Sequence, residues 1–290
     1  MKKITFILIL SLLLAIVSGC ANEADSPQVV ATTLPVYEFT VKICHGTDIS
    51  VGRLVTESVS CLHDYSLQVS QMRMIEHADL IVISGAGLED FLGTALQEKS
   101  FIDASAGVHV HELGGAHDHD HNHDHAHDPH IWLSAENAKT MVKNIYNGLA
   151  DAYPEYADIF SENLHALLAE LDALQAYGEQ NLSGLSCREL ITFHDGFGYF
   201  AESFNLTILE AVEEESGSEA SAMEIIHLAE LIRNHQLPAI FTERSGSDAC
   251  AGILNRETGA KIYTLDMAMA GNSYFDAMYH NIDTIKEALE

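Results

Sequence analysis

Three histidines, His63, His130 and His194, fall where open α/β folds place their ligands, beyond the carboxyl ends of strands. The run ELITF leads directly into HDGFGYF and delivers the His194 ring to a sheet edge. His63 sits in SCLHDY after a second β-branched run, and His130 sits in DPHIW, where Pro129 stiffens the approach. Asp266 follows KIYTL and holds, at the last strand of its half, the place that His194 holds at the first. Three neutral imidazoles and one carboxylate form a tetrahedral donor set suited to Zn²⁺, whereas a site dominated by oxygen would favour Mn²⁺ or Mg²⁺. Each residue also has a plainer use. A lone histidine is most often a hydrogen-bonded structural residue, Asp266 suits an N-cap or a turn, and Glu243, at another strand end, or a water molecule is an alternative fourth donor. It is the four together that read as a cation site.

A second histidine population has a different character. From His109 to His130 the chain carries nine of its 17 histidines, alternating from His117 as HDHDHNHDHAHDPH. Such a tract cannot bury a core and is expected to form a mobile loop over 109–130. Its imidazoles at His117, His119, His121, His123, His125 and His127 are expected to bind zinc, nickel or copper loosely and in several registers. A solvated linker or an affinity tag is the plainer reading; the internal position and the interleaved aspartates argue against a tag. Glu213 to Glu215 read as charges near a helix N-terminus rather than as ligands, because Ser221 with Glu224 fits a capping box. Met267, Met269 and Met278 read as packing residues rather than a copper box.

The elements that must position these residues follow from the periodicity. Short β-branched runs, each followed by a turn signal and an amphipathic segment, mean βαβ units and a mainly parallel sheet. In the first half they are VVATTL (29–34), ISVGRLV (49–55), LIVISG (80–85) and FIDAS (101–105); in the second, ELITF (189–193), LTILEA (206–211), AIFTE (239–243) and KIYTL (261–265). The predicted fold is α/β: two similar lobes, each a mainly parallel four-stranded sheet flanked by helices. Between them Ser134 is placed to cap a helix from Ala135, and Tyr153-Pro154 ends it. Pro154 to about Asn181 then carries Ile159, Leu164, Leu167, Leu168, Leu171 and Leu174 as one stripe of a long helix. The expected units are an N-terminal lobe over 28–153 that includes the 109–130 loop, a connecting helix over 154–182 and a C-terminal lobe over 183–290. A helical connector should keep the relative motion of the lobes small.

Composition sets the partners and the compartment. Forty-three acidic against 14 basic residues give a net charge of −29, which excludes nucleic acid as a partner and favours cations. The chain opens Met1-Lys2-Lys3 and runs apolar, but for Thr5, from Ile4 to Leu10 and again from Leu12 to Val17. That is shorter than the roughly 20 residues of a membrane-spanning helix and reads as a secretory signal over residues 1–20. Val17, Ser18, Gly19 and Cys20 read as a lipoprotein signal whose cysteine is acylated, with 21–27 as a tether. Outside the cytoplasm Cys44, Cys61, Cys187 and Cys250 read first as disulfides. Of the three pairings available, Cys44 with Cys61 and Cys187 with Cys250 is the expected one.

The segments DPHIWLS (128–134), FHDGFGYF (193–200), EEESGSEASAMEI (213–225) and SYFDAMYHNIDTIKEAL (273–289) occur in an order that resembles the metal-binding subunits of bacterial zinc and manganese ABC importers. The resemblance, to the cluster of ZnuA-like and TroA-like proteins, runs across nearly all the mature chain, and a histidine-rich loop directly before DPHIW is typical of the zinc members. It implies the metal-binding helical-backbone solute-binding fold, with His63, His130 and His194 as ligands and Asp266 as the fourth. It implies Zn²⁺ as transported cargo, with Mn²⁺ the alternative, and no enzymatic activity. The implied partners are an ABC permease and its ATPase, met by an extracytoplasmic monomer anchored to the membrane through Cys20. There are departures from the family pattern. The first ligand usually lies in Pro-His-Xaa-Tyr, whereas here Leu62 precedes His63, Asp64 separates it from Tyr65, and Cys61 is close enough to be a soft ligand. MAMAGNSYF, after Asp266, is shorter than in many relatives, which leaves Glu243 or water open as the fourth donor. Two other classes compete. An exported zinc hydrolase would leave one metal position to activated water, but the chain has no HExxH and no carboxylate obviously placed as a base. A surface adhesin or metal-buffering protein is the other, since some members of the family have been regarded as adhesins.

Overall fold

In the first half of the chain, β1 (Val29–Ala31), β2 (Val51–Arg53), β3 (Leu80–Ile83) and β4 (Phe101–Asp103) form one sheet in the order β2-β1-β3-β4. In the second half, β5 (Glu189–Thr192), β6 (Thr207–Ala211), β7 (Ala239–Glu243) and β8 (Lys261–Leu265) repeat that winding as β6-β5-β7-β8. Within these two sheets every described ladder is parallel. The computed structural model describes residues 26–57, 62, 65–111, 127–212, 220–244 and 249–290. The signal with Cys20, His63, Cys61, Glu213 to Glu215 and the histidines from His117 to His125 lie outside them. Among the described residues no helix is long and apolar enough to cross a membrane.

The helices are α1 (Leu34–Ile43), α2 (Val69–His77), α3 (Ala135–Ala152), α4 (Ala157–Leu182), α5 (Gly198–Ser203), α6 (Ala222–His235), α7 (Ala249–Thr258) and α8 (Tyr274–Leu289). All eight strands fall inside the predicted runs, but some are shorter. The first stops at Ala31 because Thr33 takes the N-cap position of α1 and Pro35 sits in its first turn, where a missing N–H costs nothing. Ser134 caps α3 by accepting from the Asn137 N–H. Ser221 and Glu224 form the expected capping box on α6.

Both sheet-end rims are tied by buried polar groups. In the first lobe the Glu89 carboxylate accepts from Thr32 Oγ1 at 2.6 Å and from the Ser84 and Gly85 N–H groups at 2.7 and 2.9 Å, which locks the ends of β1 and β3 together. Burial pushes that carboxyl up to about 7 although all three hydrogen bonds pull the other way.

The long helix α4 buries Phe160, Leu167, Leu171, Leu174, Gly178 and Leu182 as one stripe. Phe160 rather than Ile159 opens it, since a step of seven residues brings Phe160 back over Leu167 and leaves Ile159 on the flank. This helix packs on α1 and α3 from the first half and on α8 from the second. The largest apolar core likewise draws residues from both halves, including Phe39, Trp132, Leu171, Phe200 and Tyr274.

The expected disulfides do not form. Cys44 is a free buried thiol, pushed up to about 12 by desolvation. Cys187 is also free and lies 3.6 Å from the Glu189 carbonyl oxygen, so neither is bridged to Cys61 or Cys250. An even count of cysteines carries no geometry, and these thiols are absorbed into apolar packing instead.

Gly178 shows how tightly α4 is seated: a Cβ there would lie 2.2 Å from Cε1 of Phe204, whose ring is itself held edge-on by Phe200. Gly178→Ala is therefore expected to destabilise the fold by about 1–3 kcal/mol through overpacking, more than the gain of up to about 1 kcal/mol that alanine offers a helix interior. A urea or thermal melt decides, and a variant as stable as the parent would contradict the packing.

Candidate metal centre

His130 is positioned by its own neighbours. Asp128 Oδ1 accepts from the His130 backbone N–H at 2.9 Å and meets the ring at Nδ1, 2.7 Å away. Pro129 fixes the intervening backbone, and residues 131–133 turn at once into a short 3₁₀ segment that leads to the Ser134 cap. Asp128 is held in turn: its N–H donates to the His111 carbonyl at 2.9 Å, and its carbonyl accepts from the Tyr199 hydroxyl at 2.8 Å. Burial pushes that hydroxyl up to about 12, so it stays a neutral donor.

His194 emerges two residues past the end of β5, where the Phe193 N–H still pairs with the Phe241 carbonyl. Its Nδ1 lies 3.4 Å from Glu243 Oε2 at the end of the neighbouring β7. Both rings are thus faced at Nδ1 by buried carboxylates, which favours the proton on that nitrogen and leaves Nε2 as the lone-pair donor. Those two Nε2 atoms face each other at 3.3 Å. With Zn–N bonds of about 2.0–2.1 Å, one edge of a tetrahedral zinc site is about 3.3–3.4 Å long. The separation therefore matches two ligands of one ion.

Close approach makes a glycine necessary beside them. A Cβ on Gly196 would stand 2.6 Å from Met267 Cε and 2.8 Å from both His130 Nδ1 and His194 Cδ2. Asp266 enters from β8, with its backbone N–H and carbonyl both paired to the Asn281 side chain at 2.8 and 2.7 Å. Its carboxylate does not point freely at the imidazoles: Oδ1 accepts from the Ala268 N–H at 2.8 Å and Oδ2 pairs with Arg244 Nη1 at 3.1 Å. Ala268 takes φ 56°, a conformation that costs a residue with a Cβ about 1 kcal/mol or more. Trp132 Nε1 donates to the Met267 carbonyl at 2.8 Å and ties this turn to the His130 segment.

The family described as zinc-uptake complex component A, periplasmic (ZnuA), matches residues 29–288. The chain belongs to the ZnuA family. The high-affinity zinc uptake system protein ZnuA of Bacillus subtilis (strain 168) is 29% identical over 318 residues, 99% of this chain and 98% of that one. The zinc-binding lipoprotein AdcA of Streptococcus pneumoniae serotype 4 is 28% identical over 311 residues, and the chain spans 62% of its length. Among solved structures, the periplasmic zinc binding protein TroA from Treponema pallidum superposes with a TM-score of 0.76 at 27% identity, over 91% of this chain and 99% of that one.

Of the donors expected within this ZnuA-family fold, His130 and His194 are brought together, and Asp266 stands at the same rim but engaged by Arg244. His63 lies outside the described residues, as does Cys61. Among the described residues no three His, Cys, Asp or Glu side chains converge closely enough to hold an ion. Glu243, considered as a fourth donor, lies on the Nδ1 side of His194, opposite the nitrogen that faces His130. His127, the one tract histidine of the six expected to capture metal that the structure describes, is exposed. Sequence reading missed Asp128 and Arg244. Asp128 was submerged in the alternating tract, although Asp two residues before a histidine, across a proline, is the spacing for such a clasp. Arg244 follows Glu243 directly, and nothing in the pattern marks it.

Asp128→Ala removes the group that orients His130 and is expected to weaken tight binding of Zn²⁺ by about 10- to 100-fold. Competition against a chelator of known affinity measures this, and an unchanged affinity would show that the ring is held by something else.

Proposed function

We propose that the chain is the extracytoplasmic binding component of a zinc ABC importer, capturing Zn²⁺ and delivering it to a membrane permease driven by its ATPase. The observation that carries this reading is the pair of imidazole Nε2 atoms 3.3 Å apart, each ring backed by a carboxylate. His63 completes the imidazole set and Asp266 supplies the fourth donor. Neutral nitrogen donors favour Zn²⁺ over Mn²⁺, which remains the alternative cargo. The names of the Bacillus subtilis and Streptococcus pneumoniae relatives, zinc uptake and zinc-binding lipoprotein, agree with that reading. The word lipoprotein in the second name also supports acylation at Cys20 and anchoring to the membrane there; the anchored chain works as a monomer at the permease. Binding is the whole task, with no reaction: the Asp128 and Glu243 carboxylates are directed at the Nδ1 atoms of the two rings, where they orient ligands.

The histidines at 117, 119, 121, 123, 125 and 127 serve as accessory capture. Zinc titration of the purified chain should show one tight site and several weak ones. Deleting residues 117–127 should remove the weak class alone; loss of the tight site with it would contradict the division of labour. His130→Ala or His194→Ala should abolish the tight class, while His165→Ala, exposed on α4, should leave it unchanged. Acid should release the ion, because imidazoles must be deprotonated to coordinate.

A further inference from the structure

β7 and β8 run in register so that Glu243 pairs with Leu265, and the ladder continues one step further as the Arg244 N–H donates to the Leu265 carbonyl at 3.2 Å. Arg244 and Asp266 therefore leave adjacent strands at the same rim, and their side chains meet with Nη1 3.1 Å from Oδ2. The two ends of this pair differ. The Asp266 side chain is 9% exposed and that of Arg244 is 59% exposed, so one partner is fixed and the other is free to swing into solvent.

Asp266 does not need the guanidinium to stay in place. Asn281 holds both of its backbone polar groups, and the Ala268 N–H holds Oδ1. What Arg244 occupies is Oδ2, the oxygen left for an outside cation. Asp128 and Glu243 back the two imidazoles, and Asp266 is a third buried carboxylate at the end of β8, whose charge the guanidinium at Oδ2 offsets.

We infer that Arg244 is a built-in competitor for the metal ion: it holds the Asp266 carboxylate in the ion's absence, is displaced on binding, and returns as the ion leaves. Arg244 is thus a positioning residue that sets the rate of release, and this rests on the reading of Asp266 as the fourth ligand. A Zn²⁺ bound at Oδ2 and a guanidinium on the same oxygen repel each other. Arg244 therefore raises the energy of the loaded site and lowers the barrier to leaving it. Because the guanidinium is mostly solvated, its own displacement costs little.

The test uses the full chain with Zn²⁺ and a chromogenic chelator, reading affinity and release rate for Arg244→Gln, Arg244→Lys, Asp266→Asn and the Arg244→Gln/Asp266→Asn double variant. Arg244→Gln should bind about fivefold more tightly, the worth of a half-exposed ion pair, with the gain in slower release. Arg244→Lys, which keeps the charge without the fork, should fall between it and the parent, and carries the test should the glutamine variant fail to fold. In the Asp266→Asn background the arginine substitution should have no effect. Unchanged or faster release in Arg244→Gln, with Asp266→Asn still weakened, would overturn this inference and leave the ligand reading standing. An effect that persists without the Asp266 carboxylate would also overturn it. Parent-like binding by Asp266→Asn would overturn both.

Discussion

Two imidazole nitrogens face each other at 3.3 Å, and with a carboxylate at each Nδ1 favouring inward lone pairs they repel unless a proton or a cation stands between them. The rest of the centre exists to hold them there. Asp128 and Glu243 fix the rings from behind, Gly196 leaves room that any Cβ would fill, and Met267 closes one side. The cost of this arrangement is met when the chain folds, so an arriving ion does not have to organise these two donors before it binds them. The same logic explains why the backing groups are carboxylates: a charged acceptor on Nδ1 fixes the tautomer and makes the opposite nitrogen a better donor.

His130 and His194 lie 64 residues apart on different sides of the long helix α4, so their separation is only as constant as the contacts between the halves. Those contacts are polar and apolar together. Trp132, fully buried, donates to the Met267 carbonyl, and its own carbonyl accepts from the Tyr274 hydroxyl at 2.8 Å. The Tyr274 N–H in turn meets Glu38 on α1 at 2.5 Å, and the Tyr274 ring packs edge-on against Phe39. Arg53 reaches the Gly271 carbonyl at 2.9 Å. A core shared in this way resists large separation of the lobes. This favours a local ligand-driven change, whose driving force on the proposed reading is the difference in affinity that engaging the last donors provides.

The periodicity of the sequence was enough to find the eight strands, the Ser134 and Ser221 caps and the long helix, because each of those signals is local: a β-branched run, a hydroxyl before a helix, a stripe of leucines. His130 and His194 were legible for a related reason, since the strand-to-loop position of each is written in the residues beside it. Three features were not. The end of β1 was overrun because Thr32 and Thr33 extend its β-branched run, yet Pro35 just beyond favours a helical first turn. The cysteine pairing failed because spacing says nothing of distance. Arg244 escaped because its role depends on the register of β7 against β8, a property of two segments and not of either alone.

Asp128 joins the two histidine populations, and that has a physical consequence. It is the last acid of the alternating tract and also the group that orients His130, while its N–H closes onto the His111 carbonyl and its own carbonyl shares the Tyr199 hydroxyl with the His111 N–H. The ends of the tract are thus pinned together by hydrogen bonds independent of what lies between them. Lengthening a loop with a fixed base costs only the logarithm of its length, about 0.6 kcal/mol per doubling. The number of histidines is therefore free to change without disturbing the ring that Asp128 holds. On the proposed reading, an ion held by the tract's imidazoles is kept near the centre by the chain that carries them, which raises its effective concentration there without any new contact. On that reading loose capture and tight binding are tuned separately, since one depends on the number of imidazoles in the tract and the other on the placement of the donors that Asp128 and its neighbours hold.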